Sequence, residues 1–371
     1  MRCDLRKNLW VIFTVLFIFS SCDKEVSVTP IPTKSPVVIS PQPAAPQETI
    51  KTYTVKNSNF DRVVGWISDK RLLIVERNLE EYLVYSYDLY SEEKQLITTV
   101  NEPVIDVKIH PSKNYLAIIM SDNSLQATIK IVNVDGRTVD QLTIESAEIY
   151  LDWHTTNSDL LLITSFNKDW SFDIFTYSSQ TQEMKRIPYI HPILKWRDEE
   201  HLMAINWALE DALAGGTISE ISTVTSEVVE SEDSGYIYFD MYKDILVTVK
   251  IDPIKEQFIY RLSNVNTGDV KSYRTPALSN YSQWFVPELY WTEENSFLTY
   301  VATDSGLIDS VDENLHLEEF NLASRRGRNT ELTYRMLMCS PSGDCCLNGS
   351  LFEEIADIDT GVMMKWLNIV E

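Results

Sequence analysis

Beyond about residue 60 the hydrophobic positions recur with a long period. Short strands end in a large apolar residue at Val64-Gly65-Trp66, Val107-Lys108-Ile109, Leu151-Asp152-Trp153, Leu194-Lys195-Trp196, Ile237-Tyr238-Phe239, Leu289-Tyr290-Trp291 and Leu337-Met338-Cys339. Between their last members the steps are 43, 44, 43, 43, 52 and 48 residues. About six residues after each comes a denser apolar run, such as Leu72-Leu73-Ile74-Val75, Leu116-Ala117-Ile118-Ile119 and Leu160-Leu161-Leu162-Ile163. Unbroken runs of this length suit strands covered on both faces. An alternating strand then leads into a turn rich in Asp, Asn, Ser or Gly, as at Val134-Asp135-Gly136 and Asn266-Thr267-Gly268, and a last strand follows. Such residues tolerate positive φ or bond their own backbone, so they join antiparallel neighbours. Each unit is a four-stranded antiparallel meander.

Units of this kind every 40 to 50 residues predict an all-β chain folded as a β-propeller, in which radial stacking buries both faces of each blade. Seven blades are counted, starting near residues 61, 104, 148, 191, 234, 286 and 334. A six-bladed ring with one irregular insert stays open, because the sixth unit is long and the seventh compact. Residues 52–55 are a candidate closing strand beside residues 364–370. Trp66, Trp153, Trp196, Phe239 and Trp291 occupy one position in successive blades, which reads as filling between blades rather than as a ligand cage. Trp170, Trp207, Tyr281 and Trp284 fall outside that register, in longer connections, and are candidates for an exposed recognition surface.

The start of the chain is of another kind. Arg2, Arg6 and Lys7 precede an apolar stretch over residues 9–19, then Ser20, Ser21 and Cys22. At ~1.5 Å per residue that stretch covers only about half of a ~30 Å hydrocarbon core, so residues 1–21 read as an export signal peptide rather than a span. Small residues directly before a cysteine resemble the lipobox of bacterial lipoproteins. The resemblance implies cleavage before Cys22 and attachment of diacylglycerol to its thiol, with acyl chains such as palmitate holding the protein at the extracytoplasmic face of the cell membrane. Residues 22–51 carry Pro30, Pro32, Pro36, Pro41, Pro43 and Pro46, a density that favours extended polyproline II. This segment is a lipidated tether, and residues 52–371 form the propeller.

Composition narrows the partners. With 32 basic and 55 acidic residues the net charge is −23, which disfavours nucleic acid. His110 and His154 follow the strand-ending residue in neighbouring blades, but neither these nor His191, His201 and His316 show the spacing of a helical zinc site. Asp304, Asp309, Asp312, Glu313, Glu318 and Glu319 are oxygen ligands of the type calcium takes, yet lack the pattern of a dedicated loop; a solvated surface is the expectation. The run Glu227, Glu230, Glu232 and Asp233 reads the same way. No metal site or cofactor is expected. Of the three cysteines in the last blade, Cys339 and Cys345 flank a turn and are the candidate disulfide; equally, Cys339, Cys345 and Cys346 could be small buried hydrophobes.

Pro111-Ser112-Lys113-Asn114-Tyr115 and Ser340-Pro341-Ser342-Gly343-Asp344 are similar to the Ser-Pro-Asp-Gly-Lys turn of TolB-type propeller repeats. With the lipobox and the tether, the chain resembles the YqgU-like propeller lipoproteins of Gram-positive bacteria. That resemblance implies six blades and supplies no functional residues. No nucleophile elbow, phosphate loop or other catalytic signature is present in the sequence. The expected function is a lipid-anchored binding module for a protein, peptide or envelope glycan. The alternative is a hydrolase or lyase with a metal or carboxylate site in the central channel, which titratable residues clustered there would favour.

Overall fold

The computed structural model describes residues 49–207, 211–311, 315–328 and 336–371; the expected signal segment, Cys22, nearly all of the expected tether, and Asp312 and Glu313 lie outside these. Among the described residues stand seven four-stranded antiparallel sheets, each a meander, with the fourth and fifth joined by the single pair Gly216 and Tyr236. Their first strands, which begin the blades, are Phe60–Ser68, Val104–Ile109, Glu148–Trp153, Lys195–Asp198, Tyr236–Tyr242, Tyr290–Trp291 and Met338–Cys339. The seven blades are numbered in that order below.

The apolar runs form the second strand of each sheet, and strand alternation explains their density. Successive side chains point to opposite faces, and each face meets a different neighbour. Leu72 packs with Leu347 and Ile355 of blade 7, while Leu73 packs with Val107 and Leu116 of blade 2. Ala117 likewise faces Trp153 and Leu161 of blade 3, and Leu162 faces Trp196 and Leu202 of blade 4. Met203 and Ile205 meet Phe239 across the next junction, and a large cluster runs from Val247 and Tyr260 through Phe297 and Phe320 to Cys346 and Ala356. No blade closes its own core.

Turn chemistry follows the sequence reading. Asn264 Oδ1 accepts from the amides of Asn266 and Thr267, each at 2.9 Å, and Gly268 supplies the positive φ that ends the turn.

Ring closure uses the two ends of the propeller. Tyr53–Lys56 pairs in parallel with Leu367–Val370, Tyr53 standing opposite Leu367. Between them Trp366 is fully buried, stacked on Tyr53 and Tyr87 at 6.5 and 6.2 Å, and its Nε1 donates to the carbonyl of Phe352 at 2.7 Å. The same junction is bridged nearer the axis by Trp66 Nε1, which donates to the carbonyl of Met338 at 2.7 Å.

Two expectations are corrected. The disulfide joins Cys339 to Cys346, and Cys345 is the free thiol. Cys339 and Cys346 are directly opposite in the ladder, with Met338 opposite Leu347, so the odd-numbered Cys345 lies on the other side of its strand. Burial, with Asp357 and Asp344 nearby, pushes the Cys345 thiol up to about 11. Glu318 and Glu319 sit within the strand Leu315–Phe320 rather than on a solvated loop. Glu318 pairs with Arg325 and His316, and Glu319 with Arg326 and Arg328.

Candidate functional site

The residue just before each blade's strand-ending position is, in order round the ring, Gly65, Lys108, Asp152, Lys195, Tyr238, Tyr290 and Met338. Its two apolar neighbours are drawn into the junctions between blades, so alternation turns this residue the other way. In blades 3 to 5 a polar cluster results. Lys195 Nζ is ion-paired with Asp240 Oδ1, and Asp240 Oδ2 accepts from Trp291 Nε1 of blade 6 at 2.7 Å. Asp152 Oδ2 accepts from the backbone amide of Trp196 at 3.2 Å. Three blades are thereby tied to a fourth through side chains that start on different sheets.

Burial sets the ionisation here. Desolvation raises the Asp152 carboxyl to about 6, against the opposing pull of Lys195 and the Trp196 amide. The same desolvation works against the Lys195 ammonium, but Asp240, Tyr238, Asp152 and Tyr150 outweigh it and hold the proton more tightly than in water. Tyr150 and Tyr238 are raised by burial and then by the neighbouring aspartates, and Glu288 is raised chiefly by burial. A catalytic lysine requires the opposite shift. Lys195 is therefore a fixed positive charge.

On the side formed by blades 7, 1 and 2 lies a cavity of about 460 Å³, lined in part by Arg62, Gly65, Asp106, Lys108, Lys113 and Met338. Arg62 crosses to blade 2, donating to the carbonyls of Ile105 and Val104 at 2.6 and 3.1 Å. Gly65 leaves room for Met338, whose Sδ would lie 2.5 Å from any Cβ at that position. A larger groove of about 620 Å³ runs between blades 2 and 3, lined by Asp106, Ser121, Asp122, Asn123 and Glu148 among others.

Of the residues singled out in the sequence, Trp66, Trp153, Trp196 and Phe239 are buried and Trp291 half-buried, stacked on Tyr242 at 5.1 Å. His110 and His154 are held by backbone, whereas His191, His201 and His316 bond the side chains of Asn206, Asp198 and Glu318. His110 Nε2 donates to the carbonyl of His154 at 2.9 Å, and its Nδ1 accepts from the Ser112 amide at 3.0 Å; the ring lies against Trp153. His154 repeats this against Trp196, its Nδ1 accepting from the Asn157 amide. Trp170, Trp207 and Tyr281 are exposed, whereas Trp284 is half-buried and donates to the carbonyl of Leu213 at 2.8 Å. Among the described residues no group of three or more His, Cys, Asp or Glu is placed to hold a metal ion. Sequence reading missed Asp152, Lys195 and Asp240 as a cluster; the available signal was the charged residue repeatedly sandwiched between two core residues.

Two buried groups titrate in opposite senses over the same range. Asp152 has its folded pKa raised to about 6 from an ordinary value of 3.8, so its contribution is present in acid and lost as pH rises through about 6. His110 is lowered by burial from 6.5 to about 4, so its contribution is present above 6.5 and lost as pH falls through about 4. In the native protein the two partly cancel. Thermal melts of Asp152→Asn between pH 7 and 4 are expected to show a steeper loss on acidification than wild type; equal slopes would mean that Asp152 ionises normally.

The model of the family described as "YqgU-like 6-bladed beta propeller domain" matches residues 88–349. That span holds blades 2 to 6 entire, with the last strand of blade 1 and the first two of blade 7, so its six blades and the seven sheets here describe the same repeat. The "Uncharacterized lipoprotein YqgU" of Bacillus subtilis (strain 168) is 20% identical over 297 residues, covering 80% of this chain and 81% of its own length. The crystal structure of uncharacterized protein lmo1340 from Listeria monocytogenes EGD-e is similar with a TM-score of 0.75 at 20% identity, over 86% of this chain and 98% of that one. The β-propeller domain of the Trilobed protease from Pyrococcus furiosus reaches a TM-score of 0.51 at 9% identity, over 83% and 96% of the two chains. These structural likenesses show the fold alone. The repeat, the stacked sheets and the match over residues 88–349 agree, and the chain belongs to the YqgU-like β-propeller family.

Proposed function

We propose that the protein is a lipid-anchored extracytoplasmic propeller that works as a binding module for a protein partner. The carrying observation is the buried pair between blades 4 and 5: Lys195 is matched by Asp240, which also accepts from Trp291 of blade 6, so this charge pair acts as a tie between blades and leaves recognition to the rim. The lipoprotein name of the Bacillus subtilis relative supports the anchor, as does the run from Ser20 to Cys22. In cells, Cys22→Ala is expected to appear in the medium or to keep its leader, while wild type stays with the membrane and yields a lipid-modified N-terminal peptide. Retention of Cys22→Ala, with no lipid on wild type, would defeat the anchor. A stoichiometric protein partner after crosslinking in intact cells supports the binding module.

One observation favours a second reading. A carboxyl held at about 6, as in Asp152, suits general acid–base work at neutral pH, so the channel could serve a hydrolase or lyase with Lys195 fixing a substrate anion. That reading requires a substrate whose turnover disappears in Asp152→Asn while the fold persists.

A further inference from the structure

The two ends of the ring differ in kind. In a meander the turn between the second and third strands, and the connection to the next blade, lie at one end of the sheet, and the other two turns lie at the opposite end. At the second end the turns are self-bonded, as around Asn264 and Asp357, and the exposed apolar side chains in them are small: Val224, Val265 and Val362. At the first end, over blades 3 to 5, large apolar side chains stand out into water: Trp170, Ile190, Ile193, Trp207, Leu213 and Tyr281 are all exposed. These belong to one surface. Thr164 Oγ1 donates to the carbonyl of Pro192 at 2.7 Å, which seats the connection carrying Ile190 and Ile193 on blade 3. His191 Nε2 bonds Asn206 Oδ1 at 3.0 Å, beside Trp207. Trp284 reaches from the hairpin bearing Tyr281 to the Leu213 carbonyl at 2.8 Å.

We propose, resting on the binding-module reading, that this surface over blades 3 to 5 docks a protein segment that is apolar on one side and carries lysine or arginine at its edges. Branched aliphatic side chains such as Ile190, Ile193 and Leu213 offer nothing to sugar hydroxyls, and bury favourably against apolar protein. The rim is acidic: Asp169, Asp211, Glu230, Glu232 and Asp233 are all exposed there, and of the cations at the same end Lys250 is ion-paired with Asp233, Lys255 with Asp252 and Arg186 with Asp173. Hydrogen bonds from Thr217 and Asn206 to Glu230 hold its carboxyl below the usual range and keep it charged. An acidic rim around an apolar centre selects the complementary partner and speeds its approach. The area also matches where interface energy concentrates, in aromatic anchors surrounded by polar groups.

The test places a photo-crosslinking residue singly at 170, 190 and 281, and at 265 and 362 on the opposite end, in the full-length chain expressed in its own cells. Val265 and Val362 are also exposed, so they control for exposure alone. The expected result is that the first three positions join one protein, that the joined peptide carries Lys or Arg beside apolar residues, and that 265 and 362 do not join it. A synthetic copy of that peptide should then bind the full-length protein at least tenfold more weakly in Ile190→Ser/Trp207→Ala, and more weakly as salt is raised. Adducts from both ends alike, adducts only with lipid, glycan or a second copy of this chain, or a joined peptide without basic residues would overturn the proposal. A partner captured only from 265 and 362 would overturn the surface and leave the binding-module reading standing. No adduct with any protein from any position would overturn both.

Discussion

Trp366→Ala is expected to lower the stability of the protein by about 3–5 kcal/mol, the range for emptying a fully buried large aromatic site. Trp366 has no exposed surface, and it holds three things at once. It fills the space between blade 7 and blade 1, it stacks on Tyr53 and Tyr87, and its Nε1–H satisfies the carbonyl of Phe352. A solvent-filled gap there would free the strand Tyr53–Lys56 from Leu367–Val370. Urea melts of Trp366→Ala and of a chain beginning at Asn59 should therefore show losses that do not add, because each removes the same closure. Additive losses, or a shortened chain with an unchanged midpoint, would show that the end strands do not close the ring.

Lys195→Met is expected to cost about 3–5 kcal/mol, since removing one member of a buried pair strands the other. The Asp240 side chain is 12% exposed, and without the ammonium its charge would have only Trp291 Nε1 and its own strand's amide at Met241 for company. Asp240→Asn keeps an acceptor for Trp291, so the double variant Lys195→Met/Asp240→Asn should recover a large part of the loss. A double-mutant cycle in urea measures this directly. If the double variant is no better than Lys195→Met, the pair does not tie the blades. Neither variant alters the core at other junctions, so the slope of the urea transition should stay that of wild type.

The repeat was legible because blade stacking demands it of the sequence. A strand facing two neighbours must be apolar on both sides, and Leu72-Leu73-Ile74-Val75 records that demand at every position. Of the first-strand aromatics, Trp66 and Trp153 are buried where neighbouring blades meet, while Trp291 is only half-buried. The polar cluster was not legible. Lys195 and Asp240 stand 45 residues apart and meet only because consecutive blades are brought side by side. Asp240 is further hidden because it stands two residues beyond Tyr238, the blade-5 residue that matches Asp152 and Lys195 in the sequence repeat. The cysteine pairing failed on parity. Choosing between Cys345 and Cys346 needs the turn length, because a one-residue change in register sends every side chain to the opposite face. The acidic residues Glu318 and Glu319 misled for a related reason: a charge run reads as loop until the arginines that neutralise it, Arg325, Arg326 and Arg328, are found on the adjacent strand and the backbone just beyond it.

The pairing of the first propeller strand with the last has a consequence for the order of events during synthesis. Tyr53 emerges early and waits for Leu367, more than three hundred residues later in the chain. Six wedges can assemble one upon another while the growing polypeptide is still being extended, but the seam cannot shut until Leu367–Val370 have been made. Loss of Leu367–Val370, by a premature stop or by proteolysis, would leave an open crescent whose two raw edges are Leu72 and Ile74 on one side and Leu347 and Ile355 on the other.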